Sequence, residues 1–298
     1  MTTTLLSPLI VCGGMGYRVS NQLAGIISKL GQRGTVSGVS LERLMARLLQ
    51  QGDPGGHLSR AFSHFPFPQV AKRVWDTYYV ESGILEGARF KDAPMFTVDP
   101  SPQLIELTIC ANFCFVWLAK EGHNNQVAIN YLEKIQMPHL YAIFGAMLAG
   151  VDIITMGAGI PLQVPKLMDD LVAGRTATYS VEVFGTNIKS YTMSFNPQDF
   201  FAEEKIPQLQ KPAFVPIIAS NLLASIFMSS IAKGKLPKES VQGFVVEHWT
   251  AGGHNAPPRR GLEYGEKDCV DFHKLAEFGL PFWIGGSYAS PQGLKRAL

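Results

Sequence analysis

Val241-Gln242-Gly243-Phe244-Val245-Val246-Glu247-His248-Trp249-Thr250-Ala251-Gly252-Gly253-His254-Asn255 is the stretch on which the reading of the fold turns. Its first six residues form an apolar run of strand length, the pattern of a strand buried in a parallel sheet. Two glycines follow, Gly252 and Gly253, where backbone can approach a ligand closely. A histidine stands directly after them. In parallel α/β proteins the chemistry is placed at the carboxyl ends of strands. His254 is therefore the first candidate for a catalytic base, since histidine titrates near working pH.

Working outward, the same pattern recurs. Apolar runs at 8–12, 34–38, 127–131, 152–156, 213–219 and 281–284 alternate with helical stretches at 22–30, 41–51, 102–121, 139–150, 164–173 and from 291 onward. That alternation predicts βαβ units and a parallel sheet. Residues 52–100 read as an irregular insertion, broken by Asp53-Pro54-Gly55-Gly56 and packed on the main body through Phe62, Phe65 and Phe67. A second insertion, near 174–210, alternates as a hairpin over residues 176–201. With the strand that opens this section, seven strand-helix units are counted, where a closed (β/α)8 barrel needs eight. The expectation is a single α/β domain, 1–298, of TIM-barrel type, lacking its last strand and leaving edges unpaired.

Composition narrows the class. The chain has 298 residues, 46% hydrophobic and 17% charged, with 29 glycines and a net charge of +2. This fits a well-buried enzyme and argues against disorder. No run of Lys or Arg marks a nucleic-acid footprint. The N-terminus has neither the basic region nor the cleavage pattern of a signal peptide. Residues 213–232 carry no charge and are long enough to span a bilayer, but Pro216 and Ser220-Asn221 divide them into a strand end and a capped helix, so no membrane span is expected. Cys12, Cys110, Cys114 and Cys269 are scattered without further ligands nearby. They read as reduced core or near-core thiols, with no metal site, in a cytoplasmic protein.

Glycines cluster after four strands, at Gly13-Gly14-Met15-Gly16, Gly157-Ala158-Gly159, Gly252-Gly253 and Gly285-Gly286. One such cluster only ends a strand in a tight turn. Four at equivalent strand ends describe a rim of backbone open to a flat, phosphorylated ligand. There is no P-loop, and Gly157-Ala158-Gly159-Ile160-Pro161 lacks the third glycine of a dinucleotide fingerprint. Asn130 lies at a strand end with Lys134 just beyond it. The amide suits a cofactor ring and the lysine suits negative charge on a reduced flavin; the alternative is an Asn that caps the next turn. His57, His64, His123, His139 and His273 read as surface or packed histidines, and His248 as intermediate. Arg259 and Arg260 suit an anionic substrate or a solvated loop.

These glycine clusters, together with Gly34-Thr35-Val36-Ser37-Gly38, Ile129-Asn130-Tyr131-Leu132-Glu133-Lys134 and Ala251-Gly252-Gly253-His254, resemble the nitronate monooxygenase (2-nitropropane dioxygenase) family, related to flavin-dependent enoyl-acyl carrier protein reductases. The resemblance covers nearly the whole chain and rests on the order and spacing of motifs that are individually weak. It implies a TIM-barrel flavoprotein holding FMN without a covalent bond. Gly13, Gly14, Met15 and Gly16 would lie against the flavin, Asn130 and Lys134 near its ring, and Glu247 where relatives often carry Gln. Gly252 and Gly253 would approach the cofactor, and Gly285 and Gly286 would hold its phosphate. His254 would be the base. The implied reaction oxidises an alkyl nitronate with dioxygen to a carbonyl compound and nitrite, without a nicotinamide cofactor. The same resemblance admits an NAD(P)H-dependent enoyl-thioester or quinone reductase, with a small-molecule substrate in either case. A third reading is an inactive, truncated barrel. Thr250 stands where Glu often precedes Ala-Gly-Gly-His, and the Gly-Thr phosphate loop after the last strand has no counterpart. Weak FMN binding and low stability are expected from that. The sequence leaves oligomeric state open.

Overall fold

A computed structural model describes residues 9–14, 16, 20–183, 185, 187, 190–202, 204–253, 256–259 and 261–298. Its main sheet is built from β1 (Gly34–Ser37), β2 (Val127–Leu132), β3 (Ile153–Gly157), β6 (Ala213–Ile218), β7 (Phe244–Glu247) and β8 (Phe282–Gly285). All neighbours in it are parallel, and their spatial order is the chain order, β1-β2-β3-β6-β7-β8. The order never reverses, so there is no switch point of the doubly wound kind. The segment between β3 and β6 contains β4 (Ala177–Glu182) and β5 (Ser190–Phe195), an antiparallel pair forming its own two-stranded sheet. The hairpin expected from alternation is therefore present, and Ala177, Tyr179 and Val181 of β4 with Met193 and Phe195 of β5 are its buried set.

Helices cover the outer face. They are α1 (Ser20–Lys29), α2 (Leu41–Gln50), α5 (Pro102–Lys120), α6 (His139–Leu148), α7 (Val164–Val172), α9 (Asn221–Ala232) and α10 (Phe272–Ala276), while α11 (Pro291–Ala297) follows β8. Val36, Ile129, Ile154, Phe214, Phe244 and Val246 point from alternate strand positions into the core shared with these helices. α5 packs against α1, α2 and α6. It is long and apolar enough to cross a membrane, but 83% of its apolar window is buried inside the fold, as suits a central helix. The uncharged segment around Pro216 resolves into β6 and α9, with the Ser220 hydroxyl accepting from Leu223 N–H at 3.3 Å as the helix cap.

The inner face carries a separate small cluster. Ala128, Ile153 and Val215 are buried there, with Ala213, Val245 and Trp283 packed against them. Register joins these residues laterally: Ala128 pairs Ile153, Ile153 pairs Ala213, and Val245 pairs Trp283. The sheet is curled around this cluster. Arg33, directly before β1, holds its guanidinium carbon 4.2 Å from the ring centroid of Trp283 in β8. These strands are the opposite edges of a six-stranded sheet. Laid flat, five strand spacings would part them by about 24 Å.

Three expectations are corrected. The strand at 8–12 is reduced to one parallel bridge, Val11 to Arg33, among the described residues; Pro8 lies outside them. Residues 52–100 are not simply irregular, because they contain α3 (His57–Phe62) and α4 (Pro68–Tyr78). Asp53 starts a helix: its carboxylate accepts from Leu58 N–H at 2.9 Å and Ser59 N–H at 2.8 Å. Pro68 opens α4, whose Val70, Ala71, Val74 and Tyr78 recur at helical spacing and are buried. Phe62, Phe65 and Phe67 do pack into the body, and Phe67 stacks on Phe201 at 4.0 Å, beside the short α8 (Pro197–Phe200) that follows the hairpin. Lastly, Cys269 is exposed rather than near-core, whereas Cys110 and Cys114 are buried in α5 and Cys12 is half-buried.

Candidate functional site

Parallel strands bring all their carboxyl ends to one edge of the sheet. Asn130 is on the inner face of β2, two residues above Ala128 and in register with Ser37 on one side and Thr155 on the other. Its neighbours Ile129 and Tyr131 face the opposite way, where the Tyr131 hydroxyl donates to Asn112 Oδ1 of α5 at 2.9 Å. The Asn130 backbone carbonyl accepts from Gly38 N–H at 2.8 Å, but its side-chain Oδ1 is buried with no hydrogen-bond partner. An unpaired buried acceptor costs about 1–3 kcal/mol, so it calls for a donor. Gly14 lies against β1 here: a Cβ on it would sit 3.3 Å from Ser37 N and Cα. Gly13 and Gly16 are exposed in the same loop, and Met15 lies outside the described residues. Lys134 is exposed on the turn after β2.

The second half of the site is at the ends of β7 and β8. Glu247 ends β7 and pairs in register with Gly285, the last residue of β8. Burial pushes the Glu247 carboxyl up. Gly286 follows with a φ of +104°, and a Cβ there would meet Ala251 N at 2.7 Å and Thr250 Oγ1 at 2.9 Å. Only glycine allows that approach, so the loops after β7 and β8 are locked together. His248 N–H donates to the Gly285 carbonyl at 3.0 Å across the same junction. Gly252 and Gly253 are exposed in the β7 loop. His254 and Arg260 lie outside the described residues.

The structure thus groups Gly14, Ser37 and Asn130 at one side, and Glu247, Gly285, Gly286 and the start of the Thr250 loop at the other. The glycines at the end of β3 and just after it do not join them. A Cβ on Gly157 would press on Ile217, and one on Gly159 would strike the Glu133 carboxylate, so both are filled by the protein itself.

Between β6 and the β7 loop lies a pocket of about 130 Å³, lined among others by Glu247, Trp249, Arg259, Tyr264 and Asp268. Trp249 and Tyr264 stack with ring centroids 5.6 Å apart and planes at 8°. Arg259 is held by its backbone N–H donating to Asp268 Oδ1 at 2.7 Å. Of these residues the sequence had flagged only Glu247 and Arg259. Trp249 and Tyr264 stand fifteen positions apart in the chain, with no periodicity to announce their meeting. No family model matches this chain, and no curated protein matches it. The remaining histidines are packed or on the surface. His64 stacks on Trp117 at 4.4 Å, and His139 is buried and held down to about 4 by desolvation. Among the described residues no group of three or more His, Cys, Asp or Glu side chains is placed to hold a metal ion.

Proposed function

We propose that this chain is an FMN-dependent oxidoreductase of nitronate monooxygenase type, built on the TIM-barrel plan. The observation that carries the reading is the buried, unpartnered Asn130 Oδ1 on the inner face, toward the carboxyl end of β2. An isoalloxazine ring offers an N–H donor flanked by carbonyl acceptors, and a carboxamide can answer both. The donor set therefore fits the group. The unreversed strand order and the glycine-bearing junction of the β7 and β8 loops support the same plan.

In this reading the 13–16 loop, Asn130, Glu247 and the glycines at 252–253 and 285–286 hold the cofactor. The chemistry FMN supplies when bound is acceptance of electrons from an organic substrate and their delivery to dioxygen. Asn130 orients the ring. Glu247, its carboxyl pushed up by burial, would offer the cofactor a polar contact at the end of β7. His254, seven positions past Glu247 in the chain, removes the proton from the carbon beside the nitro group when a neutral nitroalkane is the substrate.

The test is the visible spectrum of the protein after FMN addition and desalting, followed by nitrite release from a nitronate in air without NADH. Retained flavin and released nitrite are expected. A colourless protein, or a flavin-loaded one that releases no nitrite, overturns the proposal. Arg259 beside the stacked Trp249 and Tyr264 favours one second reading, an NAD(P)H-dependent enoyl-thioester reductase. Anaerobic bleaching of the flavin by NADPH or NADH, with no nitronate activity, would select it.

A further inference from the structure

His139, the first residue of α6, is 2% exposed. Its Nε2 lies 3.1 Å from the Leu132 carbonyl, which can only accept, so Nε2 carries the proton and donates it. Burial holds the ring down to about 4, so at neutral pH it is uncharged and Nδ1 is a bare acceptor. No protein donor reaches that Nδ1. Turning the ring over would give up the Leu132 bond, and Tyr131 and Tyr179 pack against it in edge-on geometry at 6.2 and 5.1 Å. A buried acceptor without a donor costs about 1–3 kcal/mol.

His139 lines a cavity of about 20 Å³ at the carboxyl ends of β1 and β2, together with Gly38, Glu42, Asn112 and Tyr131. Three buried donors in its walls are already committed. The Tyr131 hydroxyl donates to Asn112 Oδ1 at 2.9 Å and to the Ala142 carbonyl at 3.0 Å. Asn112 Nδ2 donates to the Thr108 carbonyl at 2.9 Å, and Gly38 N–H to the Asn130 carbonyl at 2.8 Å. Glu42 is 6% exposed, and burial pushes its carboxyl up. Both ionisable groups of the cavity are biased toward their uncharged forms, which suits a neutral occupant rather than an ion. One water needs about 10–15 Å³ and at least two polar partners. From this geometry we propose that the cavity is a binding site for a single water molecule, which donates to His139 Nδ1 and bridges it to the Glu42 carboxyl. The bridge ties the first turn of α2 to the first turn of α6, on the helix side of Asn130. The site is independent of the flavin reading.

The test is NMR on the isotope-labelled full chain, reading the imidazole nitrogen shifts and the cross-relaxation from water. His139 is expected to be protonated on Nε2, with its Nδ1 signal upfield of an unbonded imidazole nitrogen. A direct cross-peak from water to the His139 Hε1 proton should survive an exchange filter. Glu42→Leu should abolish that cross-peak and return Nδ1 to the unbonded position, whereas Glu42→Gln, a polar arm of the same length, should retain both signals. An unbonded Nδ1 in the parent protein overturns the proposal. So does an upfield Nδ1 without a water cross-peak, since a protein donor would then fill the role, and so does a cross-peak unchanged in a folded Glu42→Leu. Should Glu42→Leu not fold, the two measurements on the parent decide alone.

Discussion

Arg33 and Trp283 face each other across the mouth of the curled sheet, guanidinium over indole, from strands that are its two opposite edges. Arg33 is 1% exposed, and its Nε and Nη2 both donate to Gln126 Oε1, at 3.2 and 3.0 Å. Burial lowers it to about 10 against the pull of Asp152, so it remains a cation at neutral pH. A charged side chain thus closes the amino-terminal end of the inner cluster.

A double-mutant cycle reads that contact directly. Arg33→Met is expected to cost about 1–3 kcal/mol, because it takes two donors from the Gln126 carboxamide oxygen, and Trp283→Leu about 1–2 kcal/mol. The coupling between them should be about 1 kcal/mol. Urea denaturation of the four proteins measures it, and additive effects would mean that the edges do not meet.

Asn130→Leu separates structure from function. It removes a buried acceptor that has no partner, so stability should hold or rise by about 1 kcal/mol. FMN retained after desalting should drop at least tenfold. A variant that loses stability and keeps flavin would assign Asn130 a purely structural role.

Stability should fall in mild acid through His139. Histidine titrates near 6.5 in the unfolded chain and about 4 when buried here. Between those values the unfolded state binds more protons, so stability drops as pH falls from 6.5 to 4, by an amount on the order of 3 kcal/mol. His139→Phe should flatten that part of the profile in melts taken at pH 7 and pH 4.5. An unaltered slope would place the sensitivity elsewhere.

Asp53→Ala deletes both bonds that start α3 and should cost about 2 kcal/mol. Asp53 has a φ of +49°, which Asn tolerates better than Ala, so Asp53→Asn should cost about half as much. Chemical denaturation distinguishes the two, and equal losses would point to the carboxylate charge rather than to backbone strain.

Much of the architecture is written locally. The apolar runs that became β2, β3, β6 and β7, the Ser220 cap of α9 and the alternation of the β4–β5 hairpin could be read from the chain, because each depends on backbone hydrogen bonding and on which face is apolar over a few residues. Helices α3 and α4 were hidden because Asp53-Pro54-Gly55-Gly56 reads equally as a break and as a helix start. The glycine motifs showed which strand ends to inspect, but not that Gly157 and Gly159 are filled by Ile217 and Glu133. Tertiary structure alone decided the curl that sets Arg33 on Trp283, the cavity that His139 shares with Glu42 and the burial of Asn130 Oδ1 without a partner. Those relations join residues far apart in the chain, and only the summed packing of the helices against one face of the sheet brings them together.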